Sequence, residues 1–290
     1  MSVLILYRER TEDVVKLLNR LTASGVLAWA ASPNDLSLRM KGGQTLELYL
    51  GAKLIVPRLV FGWVSLQARE LGLSLLQAFE RSGIPVLNNA SVLSEGQNKL
   101  INSVVLHHHG YSHADTIVVT NELALGRLLC DVGLPCVVKP LIGAKGMDVR
   151  RIDNLPELFE YARTQFAQNK AVYLQRELIK PDRDIRVRVI DYQAKFAFYR
   201  YLSLDGFTTN LSTGGTWQPC NMTDELKSMA EQCARLMHSP VCGVDLIELD
   251  ENHFSVIEVN TTPAFSWPND DNVDDVCRLI KRCLNLLSLT

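Results

Sequence analysis

One stretch, Gly243-Val-Asp-Leu-Ile-Glu-Leu-Asp-Glu-Asn-His-Phe-Ser-Val-Ile-Glu-Val-Asn-Thr-Thr-Pro263, decides how the rest of the chain is placed. Apolar and β-branched residues flank Asp250-Glu251-Asn252-His253 on both sides, the pattern of two strands joined by a tight hairpin. A two-residue turn at Glu251-Asn252 sets Asp245 opposite Glu258, and such a pair has Cβ atoms roughly 5 Å apart. Asn260 shares the face of Glu258, because side chains alternate along a strand. Two carboxylates that close repel unless a proton or a cation lies between them. The all-oxygen set suits a hard cation, Mg2+ first and Mn2+ as a substitute. The other reading is a solvated sheet face, where charged residues commonly lie.

The 290 residues are 47% hydrophobic and carry a formal net charge of −2. That is enough apolar material for a substantial core, at a length that suits two or three modest domains as well as one large one. Near-neutral charge gives no electrostatic case for a nucleic-acid partner. No apolar run approaches membrane-spanning length, and Met1 to Tyr7 reads as a first strand and not a signal peptide. Seven cysteines (Cys130, Cys136, Cys220, Cys233, Cys242, Cys277 and Cys283) are scattered without a Cys-x-x-Cys pair. Reduced thiols in a cytoplasmic protein fit that usage.

Residues 1 to 89 alternate strands (Val3 to Tyr7, Lys53 to Pro57, Val86 to Leu87) with helices (Glu12 to Leu21, Val64 to Arg81), which predicts a small α/β layer with a parallel sheet. A second long helix is expected from Ser91 to His108, capped by Ser91 or Ser94, with Lys99 near its middle. His107-His108-His109 closes it; adjacent helical residues face different directions, so a helix C-terminus suits these histidines better than a metal. Then come a strand at Thr116 to Val119, a helix to Val132 capped by Asn121, a buried strand at Pro135 to Pro140 and a small-residue loop to Val149. A helix (Leu155 to Asn169) and strands at Ala171 to Gln175, Ile185 to Ile190 and Lys195 to Tyr201 follow. Leu204 to Gly215 reads as loop, Thr223 caps a helix to His238, and Val273 to Leu287 forms the terminal helix.

Lys139 ends a strand and is followed by Gly143-Ala144-Lys145-Gly146. Glycines let backbone N–H groups approach an anion and lysine adds charge, which suits phosphate; a plain turn is the other reading. No Walker A order, Gly-x-Ser-x-Gly, His-Glu-x-x-His or Gly-x-Gly-x-x-Gly after the first strand is present, which disfavours hydrolase, zinc-protease and dinucleotide-binding readings. Gln175 to Lys180 closes a strand whose edge can pair its backbone with an adenine. Asp184 and Arg186 share one strand face. Arg186 either braces a carboxylate or phosphate, or forms a surface ion pair with Asp184.

Taken in order, Val137-Val138-Lys139-Pro140 with Gly143 and Gly146, Leu174-Gln175-Arg176-Glu177-Leu178, Asp184-Ile185-Arg186, Asn210 with Gly214-Gly215, Gly243-Val244-Asp245, and Glu258-Val259-Asn260 with Pro263 resemble the ATP-grasp ligases in their RimK-like branch. The resemblance runs from about Pro57 to Pro263. It implies a three-part α/β (α+β) architecture: an N-terminal parallel α/β domain over 1–92, then two α+β subdomains, 93–178 and 179–290, clasping ATP. By the same resemblance, Lys99 and Lys139 contact the phosphates beneath a loop that includes Gly143, Lys145 and Gly146. Gln175, Arg176, Glu177 and Leu178 form the adenine hinge, and Asp184 lies near the ribose. Thr208, Thr209 and Asn210 line the triphosphate, while Asp245, Glu258 and Asn260 hold Mg2+. Lys139 and Arg186 are the implied catalytic residues, Arg186 steadying an acyl phosphate. The implied reaction joins an α-amino acid, glutamate favoured, to an unidentified carboxylate acceptor, releases ADP and phosphate, and takes place in a homo-oligomer. A pterin-type or peptide-modifying ligase on the same fold and a non-catalytic ATP-binding regulatory module are the alternatives. Two positions depart from the family pattern: Thr208-Thr209 stands where Arg-Ser is usual, and Ala264 replaces the glycine after Pro263. The first removes a positive charge near phosphate or acceptor, which Lys145 would supply.

Overall fold

The computed structural model describes residues 1–7, 11–42, 45–64, 66–111, 114–143, 146–178, 181–202, 209, 215–250, 253–267 and 271–289. Val3 to Leu6 is apolar without alternation and fully buried, the mark of a strand covered on both faces. Accordingly β1 (Ser2–Tyr7) lies inside a four-stranded parallel sheet, between β2 (Leu27–Ala31) and β6 (Leu59–Trp63), with β7 (Val86–Leu87) beyond β6. Val3 and Ile5 pack on α1 (Glu12–Ala23), while Leu4 and Leu6 pack towards α2 (Arg69–Arg81). The strand at Lys53 is not in this sheet, contrary to expectation. β5 (Lys53–Ile55) completes a separate antiparallel meander with β3 (Leu36–Lys41) and β4 (Thr45–Leu50). Pro57 has no N–H to offer a ladder, and the parallel position goes to the five buried residues Leu59 to Trp63 beyond it.

The single helix expected at 91–108 is two helices. Asn89 caps α3 (Ala90–Gly96), its side chain accepting from Val92 N at 2.9 Å, and Asn98 caps α4 (Lys99–His108), accepting from Leu100 N at 3.0 Å. A Cβ at Gly96 would lie 2.2 Å from Thr261 Cγ2, so glycine lets the break between the helices sit directly against the end of the hairpin. Lys99 is therefore the first residue of α4 and not a mid-helix one. His107 and His108 occupy the last turn of α4, where the helix dipole favours them.

β8 (Thr116–Val119), β9 (Cys136–Lys139), β10 (Arg150–Ile152) and β11 (Val172–Arg176) make an antiparallel sheet in the order β10-β9-β11-β8, backed by α5 (Glu122–Val132) and α6 (Leu155–Ala167). A third, antiparallel sheet runs β14-β13-β12-β15-β16, from β12 (Arg183–Ile190), β13 (Gln193–Tyr201), β14 (Trp217–Pro219), β15 (Val241–Asp250) and β16 (His253–Asn260). Its Ile185, Val187, Val189, Val244 and Val256 pack on α7 (Asp224–Leu236), so the alternate positions of these strands face the other way. α8 (Asp271–Leu286) returns to the start of the chain, where Val273, Val276, Ile280 and Leu284 join the cluster of Val3, Ile5, Leu17 and Leu21.

Gly96→Ala is expected to destabilise the fold by about 1–3 kcal/mol, the usual cost of forcing a methyl group into a filled site. Thr261→Ala in the same chain should recover part of that loss. Thermal denaturation decides it, and a Gly96→Ala protein that melts with the wild type would show the contact to be slack.

Candidate active site

Every predicted site residue that the structure describes lines one cleft of about 490 Å3 between the middle and third sheets. Lys145, Thr208 and Asn210 lie outside the described residues.

Asp245 does pair with Glu258, yet through an interrupted ladder. Leu246 to Glu248 pair one residue out of step, with Val256 to Phe254; an extra residue on β15, Leu249, shifts the register and an extra one on β16, Ile257, restores it. The second bulge matters for chemistry. Phe254 and Val256 face α7, and uninterrupted alternation would turn Glu258 the same way. With Ile257 inserted, Val259 takes the core side, and Glu258 and Asn260 line the cleft.

The registers place Phe198, Arg186, Asp245 and Glu258 side by side across four strands, with Arg200 beside Asp184 in the adjacent row. Asp245 is 4% exposed, which removes the solvated-face reading. Its two oxygens accept from Arg186 Nε and Nη2, each at 2.6 Å, and Arg200 Nη2 approaches at 3.0 Å. Arg200 also donates to both oxygens of Asp184, at 2.7 and 2.8 Å, and Thr209 Oγ1 donates to the second. The surface ion pair between Asp184 and Arg186 is thus absent: each acid has a different arginine on a neighbouring strand. Burial alone would raise the Asp245 carboxyl, and the charges of Arg186 and Arg200 override it and hold the carboxyl below its ordinary range. Burial opposes the Arg200 charge too, and Asp245 and Asp184 more than offset that, so its pKa is raised.

α4 holds the edge strand β16 in place. The Asn102 amide donates to Val259 O at 2.9 Å and accepts from Val259 N at 3.0 Å, a side chain acting as the missing neighbouring strand. Lys99, three residues earlier, brings Nζ to 3.4 Å from Glu258 Oε2. On the opposite wall Lys139 Nζ donates to Gln175 Oε1 at 2.7 Å, and Gln175 Nε2 donates onward to Thr116 Oγ1 and Tyr173 Oη. The Arg176 backbone N–H is taken by Asp115 O at 2.8 Å, and its side chain pairs with Asp115 on the outer side; Glu177 pairs with Arg151 at 3.0 Å. The strand end at Glu177 and Leu178 lines the cleft.

The hairpin fits the cation that its sequence implies. A carboxylate has about four lone-pair sites. Arginine contacts take three on Asp245, and the open one is on Oδ1. Among the described residues Asn260 Oδ1 accepts from Thr262 N alone, at 3.0 Å, and keeps its second lone pair. Among the described residues no three His, Cys, Asp or Glu side chains form a ready-made cage. Two carboxylates and an amide suit Mg2+, which draws its remaining ligands from substrate phosphates and water.

Sequence reading did not single out Arg200, Asn102 or Arg188. Arg188 lines the cleft at 2% exposure, donates from Nη1 to the Trp267 carbonyl, and is pushed down to about 10 by burial and by the neighbouring Arg186 charge, with Asp13 opposing. A signal was present: Asp184, Arg186 and Arg188 recur every second residue between buried Ile and Val, and Phe196, Phe198 and Arg200 recur every second residue on β13 about Ala197 and Tyr199.

Two sheets closing on a cleft, one offering a lysine-bearing strand and a strand end for a base, the other a charge-lined face with an all-oxygen hairpin, define the ATP-grasp ligase class. Residues 96–280 match the RimK-like ATP-grasp domain, and the chain belongs to that family. An alpha-aminoadipate–LysW ligase, LysX, of Sulfolobus acidocaldarius is 32% identical over 202 residues, covering 68% of this chain and 72% of the relative. A tetrahydromethanopterin:alpha-L-glutamate ligase of Methanocaldococcus jannaschii is 30% identical over 199 residues, 67% of each chain. In fold, the chain is similar to the ATP-grasp ligase PsnB solved with a minimal precursor, Mg and ADP: TM-score 0.69 at 18% identity, over 98% of this chain and 96% of that one.

Asp245→Asn is expected to cost about 3 kcal/mol or more at neutral pH, because it leaves the buried Arg200 and half-buried Arg186 guanidiniums under-compensated. A carboxyl held low when folded contributes stability that is complete above its unfolded pKa and lost as pH falls through the folded one. The wild-type advantage in urea unfolding should therefore be flat from neutral pH down to the ordinary carboxylate range and shrink only below it. A gap that closes between pH 6 and 8 would contradict the assignment.

Proposed function

We propose that the chain is an ATP-dependent carboxylate–amine ligase that joins an α-amino acid, glutamate favoured, to a carboxylate of a protein tail, a peptide or a small molecule. The observation that carries this reading is the charged row Arg186–Asp245–Glu258 facing Lys139 across one cleft. In the proposed reaction a carboxylate oxygen of the first substrate attacks the γ-phosphorus of ATP and ADP leaves, giving an acyl phosphate. The substrate amine then attacks the acyl carbon, the bond to phosphate breaks, and the amine proton is lost. Both steps build negative charge on phosphate oxygens, and fixed cations stabilise such charge without reorganising.

Each residue has a role that its contacts support. Lys139 and Lys99 carry ammonium groups to the two sides of the phosphate path. Arg186 commits two nitrogens to Asp245, and its other N–H donors serve the acyl phosphate. Glu177 and Leu178 hold the base, and Thr209 steadies Asp184. Asp245, Glu258 and Asn260 hold Mg2+, with Mn2+ as a substitute, which neutralises phosphate charge when bound. The three functional units follow residues 1–92, 93–178 and 179–290. Free thiols at all seven cysteines favour a reducing cytoplasm, and a homo-oligomer completes the proposal.

ADP release with Mg2+ and ATP, scanned over amino acids and candidate carboxylates with mass spectrometry of the products, tests this. Release that requires both substrates and yields an amide is expected. Tight ATP binding without turnover for any pair would favour a regulatory module instead. Glu258→Gln, which spares the buried arginine network, should lower kcat at least about 100-fold at a melting temperature near wild type; undiminished turnover would remove Glu258 from the metal site.

A further inference from the structure

Arg188 differs from the other arginines of the cleft. Arg186 and Arg200 are answered by Asp245 and Asp184, and Arg176 by Asp115. Arg188 Nε is buried without a hydrogen-bond partner, and among the described residues the side chain's one hydrogen bond is to the Trp267 carbonyl. A guanidinium taken out of water without a counter-ion is costly, and Arg186 two residues along the strand adds repulsion. The surroundings are aromatic: the guanidinium lies 5.7 Å from the Phe198 ring centre, and Trp267 sits edge-on to Phe198 at 5.3 Å. A ring face attracts the cation and offers no carboxylate-like acceptor.

Position supplies the chemistry. Arg188 shares a row with Gly243 and Asn260, next to the row of Arg186, Asp245 and Glu258. Successive same-face residues on a strand are about 7 Å apart, close to the span of a small amino acid. An anion on Arg188 thus lies one amino-acid length from the proposed reaction centre, on the side away from the base-binding strand end.

We propose that Arg188, walled by Phe198 and Trp267, is the subsite for the side-chain carboxylate of a dicarboxylic amino-acid substrate. This rests on the ligase reading and adds the residue that sets its specificity. The ligand carboxylate completes an ion pair that the free protein leaves half made.

Wild-type and Arg188→Gln proteins, each loaded with Mg2+ and ADP, are titrated calorimetrically with L-glutamate and with its neutral isostere L-glutamine. The wild type is expected to prefer L-glutamate by about tenfold or more, the worth of a charge-assisted hydrogen bond, and Arg188→Gln to lose that preference with unchanged ADP affinity. Arg188→Met, which removes an unanswered buried charge, should melt no lower than the wild type when ligand-free. A preference that survives in Arg188→Gln overturns the subsite, as does a wild type that takes ADP yet does not discriminate, or an Arg188→Met protein that unfolds early and loses ADP. A wild type that binds no ADP and releases none from ATP fails the ligase reading itself.

Discussion

The cleft depends on a chain of buried charge running Arg186–Asp245–Arg200–Asp184 across β15, β12 and β13. Four ionised groups in a sheet interior are tolerable only because each neutralises the next and their hydrogen bonds are shared out. The consequence is orientation. Each guanidinium is planar and held at two nitrogens, so its remaining N–H groups point in fixed directions. Donors aimed in advance stabilise developing phosphate charge better than flexible ones, which must be ordered during the reaction. The chain is also neutral as a whole, so it orients without setting the charge of the cleft. Lys99 and Arg188 contribute to that, against Glu258.

Parts of the molecule distant in sequence hold this face in place. β16 is an edge strand, and Asn102 of α4 supplies its missing hydrogen bonds. Asn88, at the end of β7, donates to the carbonyls of Val241 and Thr261, tying both feet of the hairpin to the first sheet. Asp13 of α1 accepts from the backbone of Phe265 and Ser266, which positions the segment leading to Trp267. The N-terminal unit is thus the platform on which the hairpin and the Arg188 wall stand.

Much of this was legible in the sequence because it is local. An unbroken apolar run exposes β1, period-two patterning exposes β12 and the hairpin, Asn121 and Thr223 mark helix starts, and the ordered motifs carry the family. The misses are non-local. Asn98 is a local cap signal for a helix starting at Lys99, but nothing near Gly96 announces that Thr261 will press against the break. Lys53 to Ile55 reads as a strand under any local rule, and its sheet is settled by what precedes it. Asp245 and Glu258 were paired correctly although two bulges cancel between them. The trace of the second bulge is the step in apolar spacing from Phe254 and Val256 to Val259. Arg200 was overlooked because an arginine at the end of a strand usually meets water, and only the register with Asp184 buries it.

The distribution of charge separates binding of the nucleotide from choice of the substrate. A cleft whose cations were all neutralised internally would orient phosphates well and yet be indifferent to the charge of the molecule that joins them. One whose cations were all free would hold any anion, ATP included, in many poses. Here the arginines nearest the proposed transfer centre are answered and rigid, whereas Arg188, one row away, is buried and, among the described residues, has no acid in ion-pair contact. An unpaired charge at such a site discriminates strongly, since a ligand that lacks the complementary group leaves the desolvation cost standing. In the proposed reading the selective cation, Arg188, therefore lies on the sheet floor, on a rigid strand.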